Sequence, residues 1–511
     1  MKLTARTFKI QWDVHAWCGV VASTFLFVIF YCGIFALFRD SLAVWQEPAS
    51  HVAAAPASYE ATLRSVEKQV SLPIGAHLDL WWSADHGKVN AFISHPPSKL
   101  QRELRLDGVT AQPRGAVYSR LADELYTMHF FYRLPYGTEL AGLLAVALFV
   151  AIVTGLVIHW KDLVRRWWLF RPQLKLRFSA SDAHQVLGVI GLPFATMFAW
   201  SGSLLGLWAW LSAPLIYGTF HGDQAAFAVA QGYGPEAGVV ALGRPAPRRS
   251  LDELVDRARQ AVRRSGEAQH LEISAYGDEA AQLAVTFARG NFEPEKPVRL
   301  SLSTSKLIGV GKQILPSAAI NQVFFDLHYA LFGGVLVKAL YVLLALGVCA
   351  VIMTGNLVWL ERRDPQRLRL GNRLLERATV GVSFGLVLSS AVYLAANRAL
   401  PPVARRPDLE FASFLGAWLV GAALAFHRGA SARAWAARSC LASAALFVAV
   451  VLGDVGLRSQ QLLRPQYAEV EALLVFLLLS SAALGSKLQR GEQPAQGKTT
   501  RPGAPWSPSE V

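Results

Sequence analysis

Eight long apolar stretches, separated by polar segments, dominate the pattern of this chain. A helix needs about 20 predominantly apolar residues to cross the hydrocarbon core of a bilayer. The pattern therefore predicts an all-α polytopic membrane protein with about eight transmembrane helices. The predicted spans lie near residues 13–38, 136–160, 183–210, 332–360, 377–396, 409–427, 436–457 and 468–487.

The polar segment between the first two spans, residues 40–128, has a pattern of its own. Apolar residues at helical spacing predict a helix over 58–70, and strand-like runs follow at 77–83 and 88–94. A helix followed by strands predicts a small α+β domain in this segment.

The second long polar segment, 211–327, repeats this order. Ser250, with Glu253 three residues later, predicts the capped start of a helix over 250–264. Alternating strands are predicted near 270–276, 281–288 and 297–304. The chain therefore contains a unit of helix, polar domain and helix that is used twice.

Spans one and three carry the same residues at the same offsets. These are Asp13, His15, Gly19 and Gly33 in span one, and Asp182, His184, Gly188 and Gly202 in span three. The second glycine follows the histidine by 18 residues in both spans, which is five helical turns, so the histidine and both glycines share one helix face. Such a face suits close helix packing or a flat ligand pressed against the backbone.

Spans two and four also match. His129 precedes Thr154-Gly155, and His328 precedes Thr354-Gly355. The distance from histidine to glycine is 26 residues in one case and 27 in the other, a difference that a one-residue insertion explains. The internal two-fold repeat thus includes all four of the first spans.

The composition is 53% hydrophobic and 17% charged, with a net charge of +14. Lys and Arg crowd into the connections before span one, between spans two and three, and after span four, which is typical of cytoplasmic loops. Both termini are therefore predicted to be cytoplasmic, and the two polar domains extracytoplasmic. No nucleic-acid partner is expected, because no basic, aromatic-interleaved soluble domain occurs. The four cysteines all lie in apolar stretches and form no disulfide framework.

These patterns divide the chain into seven predicted regions. They are a first transmembrane helix (1–39), an outer domain (40–128), spans two and three with a basic cytoplasmic loop (129–210), a second outer domain (211–327), span four (328–363), four additional spans (364–487) and a disordered cytoplasmic tail (488–511).

A helix followed by strands, set between helix pairs that carry Asp-x-His and His-to-Gly patterns, resembles the PepSY-associated transmembrane family. The resemblance covers roughly residues 10–363 and implies that both outer domains are PepSY-like. Members of that family include inner-membrane reductases of iron–siderophore complexes that carry b-type haem. The resemblance implies a multi-pass protein surrounded by lipid in a bacterial inner membrane, with a ferric siderophore or similar small molecule as substrate.

Five of the 12 histidines lie at the ends of the first four spans: His15, His159 and His184 on the predicted cytoplasmic side, His129 and His328 on the outer side. Ionisable residues in a membrane mark functional sites, although histidines at helix ends also occur simply as interfacial residues. Two imidazoles from different helices can bind one low-spin haem iron. We therefore predict these five histidines as haem ligands. A histidine-lined ion path is less consistent with the sequence, because few carboxylates lie in these spans.

The repeat nominates His129 with His328 for an outer haem, and His15 with His184 for an inner one. His159 has no partner in the repeat and competes for the inner site. Two haems are thus predicted, of b type because no CxxCH sequence occurs. Asp13 and Asp182 lie two residues before the inner histidines, where they could cap the helix start or accept a hydrogen bond from an imidazole.

The distance between the two sides presents a difficulty. His129 and His159 are 30 residues apart, or about 45 Å of continuous helix, which exceeds a hydrocarbon core of about 30 Å. Electron transfer across this gap would need a bend near Pro135, a bridging aromatic residue or a different placement.

The working hypothesis is a haem-dependent membrane oxidoreductase that carries electrons to an extracytoplasmic ferric siderophore and releases ferrous iron. Without a GxGxxG or P-loop motif, the electrons would come from a quinol or a separate cytoplasmic reductase. Trp81, Trp82 and His86 are candidates for a substrate cleft between the outer domains, and both tryptophans fit a domain core equally well. The alternative is a non-enzymatic PepSY module, such as a sensor, assembly factor or transporter subunit, without haem.

Overall fold

A computed structural model gives the order of the helices and strands. The structure describes residues 4–47, 57–83, 87–95, 101–114, 119–162, 171, 176–231, 239–263, 266–288, 292, 296–311, 316–362, 369–427 and 431–490. The helices are α1 (Ala5–Ala36), α2 (Arg39–Gln46), α3 (Tyr59–Gln69), α4 (Leu121–Met128), α5 (Gly137–His159), α6 (Leu176–Ile190), α7 (Leu192–Gly206), α8 (Trp208–Thr219), α9 (Gln224–Ala230), α10 (Leu251–Val262), α11 (Pro316–His328), α12 (Gly334–Arg362), α13 (Arg369–Ala399), α14 (Arg406–Phe426), α15 (Ala432–Leu457) and α16 (Pro465–Arg490). The strands are β1 (Ala76–Trp82), β2 (Lys88–Ser94), β3 (Gln101–Asp107), β4 (Ala268–Tyr276), β5 (Gln282–Phe287), β6 (Val298–Ser301) and β7 (Leu307–Val310).

Seven of the helices in the described part of the chain are long and apolar enough to cross a membrane: α1, α5, α12, α13, α14, α15 and α16. Helices α6 and α7 pass the same test only as a bent pair, and they make an eighth span if the pair crosses the membrane as one. The predicted fold class, a polytopic helical membrane protein with α+β outer segments, is confirmed. Of the predicted tail, residues 491–511 lie outside the described residues.

Span three differs from the prediction of one continuous helix over 183–210. It is bent by 69° between α6 and α7. Pro193, the second residue of α7, has no N–H to donate, and its ring clashes with the carbonyl four residues back in a continued helix. The helix therefore stops at Ile190 and restarts at Leu192, whereas α1, without a proline, runs unbroken over 32 residues.

The two outer segments share one seven-stranded sheet with the order β3-β2-β1-β4-β5-β6-β7. β1 of the first segment and β4 of the second pair antiparallel, with Leu80 opposite Leu271. Helices α3 and α10 cover one face of this sheet, and their apolar residues form a single core with the strands. The sequence did not predict β3 and β7, which form the two edges.

On the helix side, a polar pocket of about 670 Å³ lies between the two outer segments. Arg248 of the second segment donates hydrogen bonds to Glu60 and Glu67 of the first, at 2.8 and 3.0 Å. The segments are thus joined both by strand pairing and by an ion-pair cluster, rather than standing apart as two domains.

The membrane helices form two groups that meet along α1. In the first group, α1 packs against α5 and α12, α7 packs against α5, and α6 packs against α12. In the second group, α13 to α16 form a four-helix bundle, which contacts α1 through α13 and α2 through α16. The helices of the first group carry His15, His159 and His184, whereas His129 follows α4 and His328 ends α11.

Candidate functional site

His15 on α1 and His184 on α6 come together from the two halves of the repeat, and we call them the inner pair. Their ring centroids are 6.1 Å apart, with the ring planes at 83°. Nδ1 of His15 lies 2.8 Å from the backbone oxygen of Ala151, and Nδ1 of His184 lies 2.8 Å from that of Val351. A carbonyl only accepts hydrogen bonds, so each Nδ1 carries the proton and each Nε2 keeps its lone pair for a ligand.

His129, just after α4, and His328, at the end of α11, form the outer pair. Their ring centroids are also 6.1 Å apart, with the planes at 54°. Nδ1 of His129 donates to the backbone oxygen of Ile29 at 2.7 Å. Nδ1 of His328 lies 2.7 Å from the hydroxyl of Ser201, which donates its own proton to the backbone oxygen of Met197. Ser201 therefore accepts, and His328 is fixed in the same tautomer as the others.

Each imidazole ring packs against a glycine of the neighbouring helix in its own repeat unit. A Cβ built on the glycine would meet the ring at 3.1 Å for Gly155 and His15, 3.0 Å for Gly355 and His184, 3.1 Å for Gly33 and His129, and 4.0 Å for Gly202 and His328. The repeated glycines thus make room for histidine rings. Of the six repeated glycines, Gly19 and Gly188 are the two with nothing within 4 Å, and both line the cavity beside the inner pair.

The threonines of the repeated Thr-Gly motifs bond the carbonyls that hold the inner pair. The hydroxyl of Thr154 donates to the backbone oxygen of Val150 at 2.7 Å and lies 3.1 Å from that of Ala151. Thr354 is placed in the same way, 2.7 Å from the oxygen of Ala350 and 3.1 Å from that of Val351. The oxygens of Ala151 and Val351 are those that accept from His15 and His184. The motif therefore combines a carbonyl that orients a ring with a glycine that leaves space for it.

The spacing of both pairs fits two axial ligands on one iron. An imidazole nitrogen binds a metal at about 2 Å, and its ring centre lies about 1 Å further away, so two opposed imidazoles should have centroids about 6 Å apart. Both pairs have that separation before any ligand is added. Among the described residues, no group of three or more His, Cys, Asp or Glu side chains could hold a bare metal ion. The pairs therefore suit a metal that brings ligands of its own.

A cavity adjoins each pair. The inner cavity has a volume of about 290 Å³, and the outer one about 270 Å³. Their walls are mostly apolar, and Phe194 and Phe198 line the outer one. Leu26 and Leu148 line both cavities, so these two side chains separate one cavity from the other.

The structure removes the distance difficulty raised by the sequence. The chain turns at residues 129–136, between α4 and α5, and Tyr136 has a left-handed backbone conformation with φ of 55°. His129 and His159 are therefore not on one continuous helix. Along α1, the inner pair lies at residue 15 and the outer pair at Ile29 to Gly33, which is a separation of about 21–27 Å. Both pairs thus lie within the thickness of one bilayer.

His159 ends α5, eight residues beyond Ala151, and lines the same cavity as the inner pair. The aspartates that precede the inner histidines also have other partners. Asp13 accepts from Lys9 at 2.6 Å, and Asp182 accepts two hydrogen bonds from Arg171. The suggested bond from an aspartate to an imidazole is wrong, because backbone carbonyls hold both rings.

The aromatic candidates of the outer segments separate. Trp82 is 6% exposed and belongs to the core of the sheet, whereas Trp81 is 48% exposed and stacks on His270 at 3.7 Å. Asp79 bridges His270 and His77, at 3.0 and 3.1 Å. The hydrogen bond to Asp79 raises the pKa of His77 above its ordinary value, against the opposing effect of partial burial. His86 lies outside the described residues.

Two comparisons with known proteins relate to this site. Residues 12–362 match the model of the PepSY-associated TM region, which includes both histidine pairs and both outer segments. An uncharacterised protein of Pseudomonas aeruginosa is 32% identical over 288 residues, which cover 52% of this chain and 69% of that protein. Helices α13 to α16 lie beyond the matched region.

Proposed function

The chain belongs to the PepSY-associated transmembrane family, and from that premise we propose that it is a transmembrane electron conduit with two b-type haems. It would lie in a bacterial inner membrane, with both termini in the cytoplasm. The observation that carries the proposal is the pair of facing histidines, found twice, with 6.1 Å between ring centroids in each case.

The residues that would hold the two groups are the inner pair and the outer pair. The hydrogen bonds of the four Nδ1 atoms orient the rings and leave Nε2 as the nitrogen that would bind iron, as outer hydrogen bonds generally do for metal-binding histidines. Haem held by these histidines would supply one-electron transfer. The mostly apolar walls favour a cofactor with a large hydrophobic surface.

The mouth of the outer cavity supports delivery of electrons to the outer face. Tyr126 and Tyr329 line this cavity beside the outer pair, and their hydroxyl groups lie 3.4 Å apart. Arg39 lies 4.6 Å from the ring of Tyr126. An oxidised chelate that approaches here would meet the two tyrosine hydroxyl groups and the guanidinium of Arg39, which already donates to Asp123 at 2.7 Å. We propose a ferric siderophore or a similar ferric chelate, in which addition of one electron to the metal gives weakly held ferrous iron.

The electrons would enter at the inner pair, from a quinol or a cytoplasmic reductase. Trp12, Trp17 and Trp359 surround the inner cavity with His159. Such an apolar, aromatic mouth is accessible from the lipid as well as from the cytoplasmic surface. Both donors would supply single electrons in succession, with protons from a quinol released on the cytoplasmic side.

The deciding experiment is an absorption spectrum of the purified protein before and after reduction by dithionite. We expect a Soret band that shifts on reduction, two haems per chain by pyridine haemochrome assay, and loss of colour on acid–acetone extraction. A colourless protein would favour the alternative, a PepSY membrane module that senses or assembles without haem. Haem retained on the denatured polypeptide would contradict the b type.

A further inference from the structure

Helices α13 to α16 stand outside the repeat and outside the matched region, yet their outer ends contact the segment that carries His129. We propose that this C-terminal bundle positions the outer pair: α13 and α14 hold the segment 119–133 on both sides of His129. The inference rests on the proposed function, because it concerns where an axial ligand is held.

The first contact sets the start of α4. This helix has eight residues, and its first N–H groups need partners from outside the helix. The hydroxyl of Ser119 accepts from the N–H of Leu121 at 3.2 Å. The side-chain oxygen of Gln46 accepts from the N–H of Ala122 at 2.8 Å. The position of α4 therefore depends on where Ser119 and Gln46 are fixed.

The C-terminal bundle fixes Ser119. Its hydroxyl donates to Glu410 on α14 at 2.6 Å and accepts from Asn397 on α13 at 3.0 Å. Asn397 and Arg406 both donate to the other oxygen of Glu410, at 3.1 and 2.7 Å. Ser119, Asn397 and Glu410 are almost fully buried. Hydrogen bonds in such a desolvated network hold a precise geometry, because a broken one leaves an unpaired buried group.

The second contact lies on the other side of His129. Arg133 forms an ion pair with Glu124 of α4 and places its guanidinium 4.9 Å from the ring of Phe411 on α14. Glu124 is 4% exposed, whereas the side chain of Arg133 is half exposed, so only the carboxylate of this pair is removed from water. The helix α14 thus touches the segment ten residues before His129 and four residues after it.

The partner histidine of the outer pair is held differently. His328 ends α11, which packs against α7 of its own repeat unit. Its ring contacts Ser201 and Phe198, both on α7. The C-terminal bundle therefore acts on one member of the outer pair, and Ser119 is a positioning residue rather than a ligand.

The first test measures α4 directly in the full-length protein. Hydrogen exchange of the amides of residues 121–128 should be faster in Ser119→Ala than in the parent. The matched control is Ser389→Ala, which removes an equally buried hydroxyl that bonds only within α13 in the described structure. Ser119→Thr, which keeps a hydroxyl, should restore the slow exchange. Unchanged exchange of α4 in Ser119→Ala would overturn the inference whether or not the protein binds haem.

The second test isolates each haem. His184→Ala would retain the outer haem alone, and His328→Ala the inner haem alone. Adding Ser119→Ala to the first should weaken haem binding about 10–100-fold, the usual loss when a metal ligand loses its orienting partner, and shift the midpoint potential. Adding Ser119→Ala to His328→Ala should change neither the affinity nor the midpoint potential of the inner haem.

The outcomes separate the two proposals. Equal haem loss in both backgrounds would show general destabilisation and overturn the positioning role. No loss in either background would also overturn it. A parent protein without haem would instead refute the proposed function, and the exchange of α4 would still decide whether the bundle holds that helix.

Discussion

The inner and outer pairs have the same ring separation but different supports. In the inner pair, both Nδ1 atoms donate to backbone carbonyls of neighbouring membrane helices. In the outer pair, one acceptor is a carbonyl and the other is the hydroxyl of Ser201. The glycines differ in the same way, since Gly202 leaves more space beside its histidine than the other three do. The outer pair is thus the less symmetric and the more open to change by mutation.

This difference follows from where each pair lies in the helices. The inner histidines are inside α1 and α6, and their rings are fixed by carbonyls of α5 and α12, the helices that pack against α1 and α6. The outer histidines lie at the ends of the short helices α4 and α11. Short helix ends need side chains to hold them, because fewer backbone groups are fixed by the helix itself. The comparison predicts that substitutions outside the four histidines weaken haem binding more at the outer pair than at the inner pair.

The largest expected effect is loss of one haem from each single ligand variant. His129→Ala and His328→Ala should each remove the outer haem, and His15→Ala and His184→Ala the inner one, because an iron held by two histidines loses half of its protein ligands. Haem quantification per polypeptide measures this. One haem in the parent protein, or full haem content in any of the four variants, would break the assignment of pairs.

A smaller effect is expected from added methyl groups. Gly355→Ala would place a Cβ 3.0 Å from the ring of His184 and should weaken the inner haem, with an overpacking cost of about 1–3 kcal/mol. The control is Gly202→Ala, whose Cβ would lie 4.0 Å from His328 and 3.4 Å from Ala145, an ordinary contact. Haem titration of the two apo-proteins compares them. Equal losses of haem affinity in the two variants would mean that the space beside each histidine ring does not set how well its pair binds haem.

Among the four acceptors that hold the histidine rings, Ser201 is the one side chain, so Ser201→Ala can remove it. The outer haem should bind about 10–100-fold more weakly, because His328 loses the group that orients it. Its midpoint potential should rise, because the ring then donates less electron density to ferric iron. Ser203→Ala is the matched control, since its hydroxyl bonds the backbone of Ala199 on the same helix. An unchanged potential of the outer haem in Ser201→Ala would refute the role of this hydroxyl.

The smallest effect is expected at the fifth histidine. His159→Ala should keep both haems and both spectra, because the proposed ligands of the inner haem are His15 and His184, whose rings face each other. In this variant, only the entry of electrons from the cytoplasmic side is expected to change. Optical spectra of the reduced variant and parent test the prediction, and loss of the inner haem would restore His159 as a competing ligand.

The sequence predicted the repeat, the spans and the histidines of the site, because each leaves a local pattern. It did not predict the partners of those histidines. Backbone carbonyls such as that of Ala151 have no signature in sequence. Ser201 did have one: it is polar in an apolar span, and it occupies the place that Cys32 holds in the first unit. The two repeat units thus differ in sequence, Cys32 against Ser201, at the position where the supports of the two outer histidines differ.

The rest of the fold depends on contacts between distant parts of the chain. Spacing alone gave the helix of each outer segment and the first strands, but the pairing of β1 with β4 joins residues nearly 200 positions apart. A period-2 pattern shows that a strand has two faces and does not show which strand lies beside it. Pro193 is visible in the sequence, but the prediction of one continuous span over 183–210 did not include the bend beside this proline.

The shared sheet has a consequence for how the protein is made. When the first outer segment leaves the ribosome, the edge of β1 has no partner, because β4 follows about 190 residues later. At roughly 5–20 residues per second of synthesis, that edge stays exposed for about 10–40 s. An open strand edge is a ready site for mispairing. Biogenesis therefore depends on protection of the nascent first segment until α5 and the bent pair α6 and α7 have been synthesised, so the two repeat units mature together.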